Sequence, residues 1–227
     1  MRARTLPTLL AAVCLTATSV VFAEVSAKID DSGTYVGMVY RYNSNTLSPR
    51  IWTAGTSSPS RKPLNPLGDL YSDLAPTVVE NPLSSRWPTV VWSHPTSGRY
   101  ALVFSRWNGS QWSPIQSVRL GMPANEFEPR VAFNSKGHEY MVWTSLDQTG
   151  SVYFSIFLTT RWMTPILVSA PGLDARHPTL SVLDDSLVQI TFETSSGTVT
   201  RSLMIPSSDT ITDDIDPKLR ADIQIGY

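Results

Sequence analysis

Residues 129–169 read PRVAFNSKGHEYMVWTSLDQTGSVYFSIFLTTRWMTPILVS. Four short runs rich in β-branched and aromatic residues are visible: 130–133, 139–145, 151–158 and 165–169. Asn134-Ser135-Lys136-Gly137 and Asp147-Gln148-Thr149-Gly150 separate them with turn-forming residues. That composition and spacing predict four antiparallel strands joined by tight turns.

The same layout recurs on both sides. The aromatic closing the second strand is Tyr40, Trp92, Trp143 and Phe192, in steps of 52, 51 and 49. The proline at the first strand is Pro76, Pro129 and Pro178, and the hairpin glycine is Gly98, Gly150 and Gly197. Ser105, Ser155 and Ser202 sit at one position of the third strand, and Trp112 and Trp162 precede Pro114-Ile115 and Pro165-Ile166. A period near 50 residues with four strands per period predicts an all-β, propeller-like array of about four four-stranded antiparallel blades, closed or open. The units fall at about 24–75, 76–122, 123–171 and 172–227. Each small sheet cannot cover both its faces alone, so the recurring aromatic is expected between blades.

The outer units are less regular. Residues 56–75 lose the pattern and predict a loop without a fourth strand. Asn108-Gly109 is the strongest hairpin signal in the chain. Asp216 to Arg220 could form one helical turn. The tail from Ala221 to Tyr227 alternates weakly and could supply the last strand.

The first 23 residues have the features of an export signal: Arg2 and Arg4, an apolar or small run from Leu6 to Phe22, and Val21-Phe22-Ala23 as a cleavage site. The single cysteine, Cys14, lies inside this segment. The remaining domain, 24–227, then has no disulfide, thiolate chemistry or cysteine-held metal, and must rely on its core. An exported location, periplasmic or secreted, follows as the expectation. A formal net charge of −1 without basic runs excludes a field that would gather nucleic acid. The interrupted apolar run argues against a membrane span in the mature form.

The arrangement P-x-V, x-V-W, G, F-S, W, P-I, covering residues 76–205, resembles sialidase-like propeller repeats. The resemblance implies the fold. Such repeats often carry Ser-x-Asp-x-Gly-x-x-Trp, and this chain has no such motif. The nearest stretch, Ser135 to Tyr140, lacks the Asp. Sialidase-like enzymes hold a substrate carboxylate with several arginines, which makes Arg130 and Arg176 candidates for an anionic ligand.

In a propeller the segments before each first strand converge on a central opening. Here these are Leu74-Ala75-Pro76, Glu128-Pro129-Arg130 and Arg176-His177-Pro178. Arg130, Arg176, His177 and Glu128 are therefore the candidate ligand-binding residues. The arginines could instead pair with Glu126, Glu128 or Asp174. Trp107 and Trp112 could form a stacking platform, or could cover a blade edge. No spacing pairs two carboxylates for glycoside hydrolysis. His94, His138 and His177 fall in different units, so no metal or cofactor site is expected.

These readings point to an exported, non-enzymatic module binding a protein or glycan. Two alternatives stand beside it. One is a hydrolase or lyase acting on an anionic glycan. The other is a structural subunit that completes its ring by self-association through an open, apolar blade.

Overall fold

A computed structural model describes the backbone of residues 27–29, 36–44, 47–55 and 58–63, and residues 74–79, 83, 89–106, 112–118, 125–146, 149–206 and 216–226. The expected export signal with Cys14, and also Trp107 and Asn108-Gly109, lie outside the described residues.

The fold is all-β, with four four-stranded antiparallel sheets in chain order. The first contains β1 (Ala27–Ile29), β2 (Val36–Ser44), β3 (Leu47–Gly55) and β4 (Ser58–Pro63). The second contains β5 (Leu74–Val79), β6 (Thr89–Thr96), β7 (Arg99–Arg106) and β8 (Gln116–Ser117). The third contains β9 (Glu126–Phe133), β10 (Glu139–Ser145), β11 (Ser151–Ile156) and β12 (Ile166–Leu167). The fourth contains β13 (Arg176–Val182), β14 (Leu187–Thr194), β15 (Gly197–Met204) and β16 (Gln224–Gly226), with α1 (Asp216–Asp222) between its last two strands.

The sequence expectations need three corrections. The first sheet does have a fourth strand, β4, in a stretch where two prolines and no apolar residue hide the strand pattern. The return strand that the Asn108-Gly109 signal implies, over 112–120, is among the described residues limited to the two of β8, because Pro114 has no N–H to give the ladder. The single turn expected near residue 216 is a seven-residue helix, about two turns long.

The first strands begin earlier than the proline suggests. Ala75, Glu128 and His177, each just before its proline, have φ of 47°, 57° and 52°. A register shift marks the same place in all three sheets, between Leu74 and Thr77, opposite Val142 and Thr144, and between Arg176 and Thr179. The extra residue forms a bulge, so strand pairing continues past a proline that cannot donate. Each left-handed non-glycine residue costs on the order of 1–3 kcal/mol of strain.

Packing follows the chain. β5 lies against β2 and β9, and β9 lies against β13, so the first strands form the inner row. Among the described residues no comparable packing joins the fourth sheet to the first. Trp143 and Phe192 lie between sheets as expected, and the Tyr40 side chain lies outside the described residues. Trp92 packs with Val78, Val90 and Val103 on the second sheet. Trp143 packs with Val91, Leu102 and Phe104 between the second and third sheets. Phe192 packs with Tyr140, Val142 and Phe154 between the third and fourth. The third sheet is covered on both faces, and all seven residues of β10 are buried. That is why residues 139–145 lack a polar alternation.

A repeated serine ties down the outer strand. Ser105 Oγ donates to Ser113 O and Ser155 Oγ to Met163 O, both at 2.7 Å and both eight residues on. Polar side chains staple successive sheets. Glu126, buried, accepts from Trp143 Nε1 in its own sheet and from Leu102 N in the preceding one, both at 3.1 Å. Asp174 Oδ1 accepts from Gly150 N at 2.9 Å across the next interface. A Cβ at Gly150 would lie 2.6 Å from both Ala175 O and Asp174 Oδ1. Gly150→Ala is therefore expected to push these sheets apart, lowering stability by about 1–3 kcal/mol in a urea melt. A loss within a few tenths of that of wild type would show that the staple yields without strain.

The outward face of the fourth sheet differs from every covered face. Thr179, Thr191 and Thr200 form one row across three strands, and Ser181, Gln189 and Ser202 form the next. Thr179, Thr200 and Ser181 are exposed, and the Thr191 and Thr200 hydroxyls are 3.0 Å apart. The face expected to be apolar in an open array is hydroxylated over these two rows, and the next row, Leu187 opposite an exposed Met204, is apolar.

Candidate functional site

The bulges place Ala75, Glu128 and His177 side by side at one end of the inner row. A cleft of about 360 Å³ opens there, lined by Leu74, Ala75, Phe127, Glu128, Thr144, Leu146, Arg176 and His177. Three of the six residues singled out from the sequence, Glu128, Arg176 and His177, meet in it.

Glu128 is the hub. Its Oε1 lies 2.7 Å from His177 Nδ1, and its Oε2 accepts from His177 N at 3.1 Å and from Thr144 Oγ1 at 3.3 Å. Glu128 belongs to the third sheet and His177 to the fourth, so the pair spans the interface at the cleft mouth. His177 is 59% exposed and Glu128 28%, so a ligand can reach both.

Arg176 pairs with a carboxylate, as one of the two sequence alternatives had it. Its Nε donates to Asp174 Oδ1 at 2.8 Å. That bond, with the Gly150 N–H, holds the Asp174 carboxyl below the usual carboxylate range, and the same bond raises Arg176. The cleft thus has no uncompensated guanidinium from Arg176. Arg130 is not in the lining. It is exposed and its Nη1 donates to its neighbour Pro129 O at 3.2 Å. Trp112 is half-buried against the Trp92 cluster of the second sheet.

The sequence did not single out Phe127, Thr144, Leu74 or Leu146. Phe127 is half-buried at the cleft and tilts 47° against Tyr100, with centroids 5.0 Å apart. Thr144 carried a usable signal. It follows the recurring aromatic, as Ser93 and Glu193 do in their units.

A second polar cluster lies at the opposite end of the second and third sheets. Glu139 is 2% exposed. It lies 3.3 Å from Arg106 Nη1 and accepts from Thr89 Oγ1 at 3.2 Å. Burial pushes its carboxyl up, opposed by Arg106 and Thr89. Arg106 also covers the Phe157 ring at 4.1 Å.

No protein-family model and no curated protein matches the sequence. Among solved structures, the crystal structure of an endo-arabinase from Bacteroides thetaiotaomicron VPI-5482 is similar, with a TM-score of 0.49 and 12% identity. The match covers 82% of this chain and 76% of that one.

Proposed function

We propose that the chain is an exported, non-enzymatic, propeller-like binding module that holds a neutral glycan in the cleft at Glu128 and His177. The observation that carries this reading is the mixed lining. Leu74, Phe127 and Leu146 offer an apolar wall, while Glu128, His177 and Thr144 offer a fixed polar rim. A sugar ring has an apolar face and a hydroxyl edge, and matches both. The ion pair of Arg176 with Asp174 removes the pull for a charged ligand.

Hydrolysis finds less support. A glycosidase needs one carboxyl held protonated near neutral pH beside a second, ionised one. At this end Asp174 is held ionised. The carboxyl that burial pushes upward, Glu139, is buried at the other end. The hydroxyl rows of the fourth sheet likewise leave only the Leu187 and Met204 end of its outward face apolar for ring completion there.

Calorimetric titration with neutral oligosaccharides of several backbones, beside an assay for released reducing ends, tests the reading. Binding without turnover is expected, weakened several-fold in Phe127→Ala, equivalent to about 1 kcal/mol. Steady release of reducing ends that disappears in Glu128→Gln would replace it with the hydrolase reading.

A further inference from the structure

We propose that the outer edge of β15, at residues 198–200, is a docking site for an extended peptide segment of a partner protein, which adds a strand antiparallel to it. The recurring aromatic fixes the equivalent position in each sheet: Val103 opposite Trp92, Tyr153 opposite Trp143 and Val199 opposite Phe192. At that position the second and third sheets carry their outer strands. β8 pairs with Val103 and Phe104, and β12 with Tyr153 and Phe154. In the fourth sheet the outer strand sits further along, where β16 pairs with Ser202, Leu203 and Met204. No described strand covers the outer flank of Val199 and Thr200.

The main-chain groups at this flank show what fits it. In the covered sheets the residue before the marker uses both its outward groups. Leu102 O accepts from Val118 N at 2.9 Å, and Leu102 N donates to Glu126 Oε2 at 3.1 Å. Val152 O accepts from Val168 N at 2.8 Å, and Val152 N donates to Ser169 Oγ at 3.0 Å. Thr198 is the equivalent residue, and among the described residues nothing bonds its N–H or C=O. Thr200, equivalent to Phe104 and Phe154, is open at its N–H. Its carbonyl accepts from Arg201 Nη1 at 3.3 Å and keeps a second lone pair. Gly197, Thr198 and Thr200 are exposed, so a strand can reach them. Edge strands are usually blunted by charge, proline or a bulge. Residues 197–200 hold neither charge nor proline, and β14 and β15 pair without a register shift.

The two faces of the sheet select the partner's side chains, while main-chain bonds supply the attraction. A residue opposite Val199 shares its face. Val199 packs against the cluster between the third and fourth sheets, so an aliphatic side chain belongs there. Residues opposite Thr198 and Thr200 share the hydroxylated face, where threonine or serine suits both. A serine one residue further on can cap Thr198 N as Ser169 caps Val152 N. A second copy of this chain fits less well. Two β15 edges paired antiparallel about Val199 would drive each hairpin turn into the other copy's β16, because Gly226 lies opposite Ser202. A free segment can diverge after three residues, as β8 and β12 do after two.

The test is an NMR titration of the full chain with the capped pentapeptide Pro-Thr-Leu-Thr-Ser, read at the backbone amides. The Thr198 and Thr200 amides are expected to shift saturably, with an affinity of about millimolar for so few main-chain bonds. N-methylation of the peptide's second threonine removes the N–H meant for Thr198 O and should weaken binding at least about tenfold. Exchanging its leucine with the threonines on either side, as Pro-Leu-Thr-Leu-Ser, should weaken it several-fold. Thr200→Pro deletes an outward N–H on an edge where proline is tolerated. It should abolish the shifts while its thermal melt stays close to that of wild type. The N-methyl comparison needs no protein variant and decides the question alone. Unmoved Thr198 and Thr200 amides, or equal affinity for the N-methylated peptide, would overturn the proposal. So would shifts of these amides with protein concentration alone, which would assign the edge to a second copy. Hydrogen exchange at Thr198 and Thr200 as slow as at Leu102 and Val152 in dilute protein without peptide would also overturn it, because the edge would then be paired within the chain.

Discussion

Trp143→Ala is expected to lower the unfolding free energy by about 3–5 kcal/mol, the range for deleting a large buried aromatic. Trp143 is fully buried among Val91, Leu102, Phe104 and Met141, and stacks on Tyr153 with centroids 5.9 Å apart. Its removal opens a cavity between two sheets that are each covered from both sides, so neither can move in to fill it without exposing its other face. It also takes one donor from Glu126, which is 1% exposed. A domain of this size is typically stable by about 5–15 kcal/mol, so the variant should lose a large part of that margin. A urea melt reads the loss directly. Trp143→Phe keeps a six-membered ring and deletes the hydrogen bond with the rest of the indole, so its loss sets an upper bound on the hydrogen-bond contribution. A loss under about 1 kcal/mol for the alanine variant would mean that the sheets collapse together freely, contrary to the packing described.

Arg106→Met should have an effect of similar size, with a dependence on pH. It leaves Glu139 buried and without its cation, a change that costs about 3–5 kcal/mol when the carboxylate stays ionised. The sign follows from linkage. Burial already raises the folded-state affinity of Glu139 for a proton above its unfolded value. Between those two values the folded state binds more protons than the unfolded state, so this group's contribution falls as pH rises. Removing Arg106 raises the folded value further and steepens that decline. The variant should therefore be closest to wild type in mildly acidic buffer and furthest from it above neutral pH. Arg106→Met combined with Glu139→Met should recover most of the loss and flatten the pH profile, because a packed apolar pair needs no counter-charge. Urea melts at several pH values check both variants. A single variant whose deficit does not change with pH would show that Glu139 is already neutral in the folded protein at all of them.

The architecture was legible because packing between sheets writes itself into spacing. Trp143 and Phe192 recur since each blade must bury the same corner against the one before it, and Trp92 fills the equivalent position of the second sheet. Pro76, Pro129 and Pro178 recur since each marks a bulge at the same point of the inner row. The elements that sequence missed have the opposite character. β4 is held by backbone pairing to β3 over Ser-Pro-Ser-Arg-Lys-Pro, a stretch with no side-chain pattern to read. β8 was overestimated because Trp112 and Ile115 look like strand residues, while the nearby proline sets the ladder.

The candidate site divides in the same way. Glu128 and His177 were legible because they precede a repeated proline. Phe127 and Leu146 were not, because only the fold brings them to the same opening. The pairing of Arg176 with Asp174 was one of two open readings, and two residues of separation could not choose between them. Glu126 was weighed only as a partner for arginine. Its acceptors' true partners, an indole 17 residues away and a backbone N–H 24 residues away, depend on the stacking of two sheets.

The threonine and serine rows on the fourth sheet bear on how such an array can lengthen by copying. A tandem copy of the third unit, inserted between the present third and fourth, would find an apolar partner on each side. A copy of the fourth unit placed after it would have to bury Thr179, Thr191 and Thr200 against an apolar surface, with hydroxyls stripped of water and few partners to replace it. Growth by duplication is thus open at internal positions and blocked at this face. The hydroxyl rows hold the fourth unit at this position, while the third unit, covered on both faces, could be copied in place.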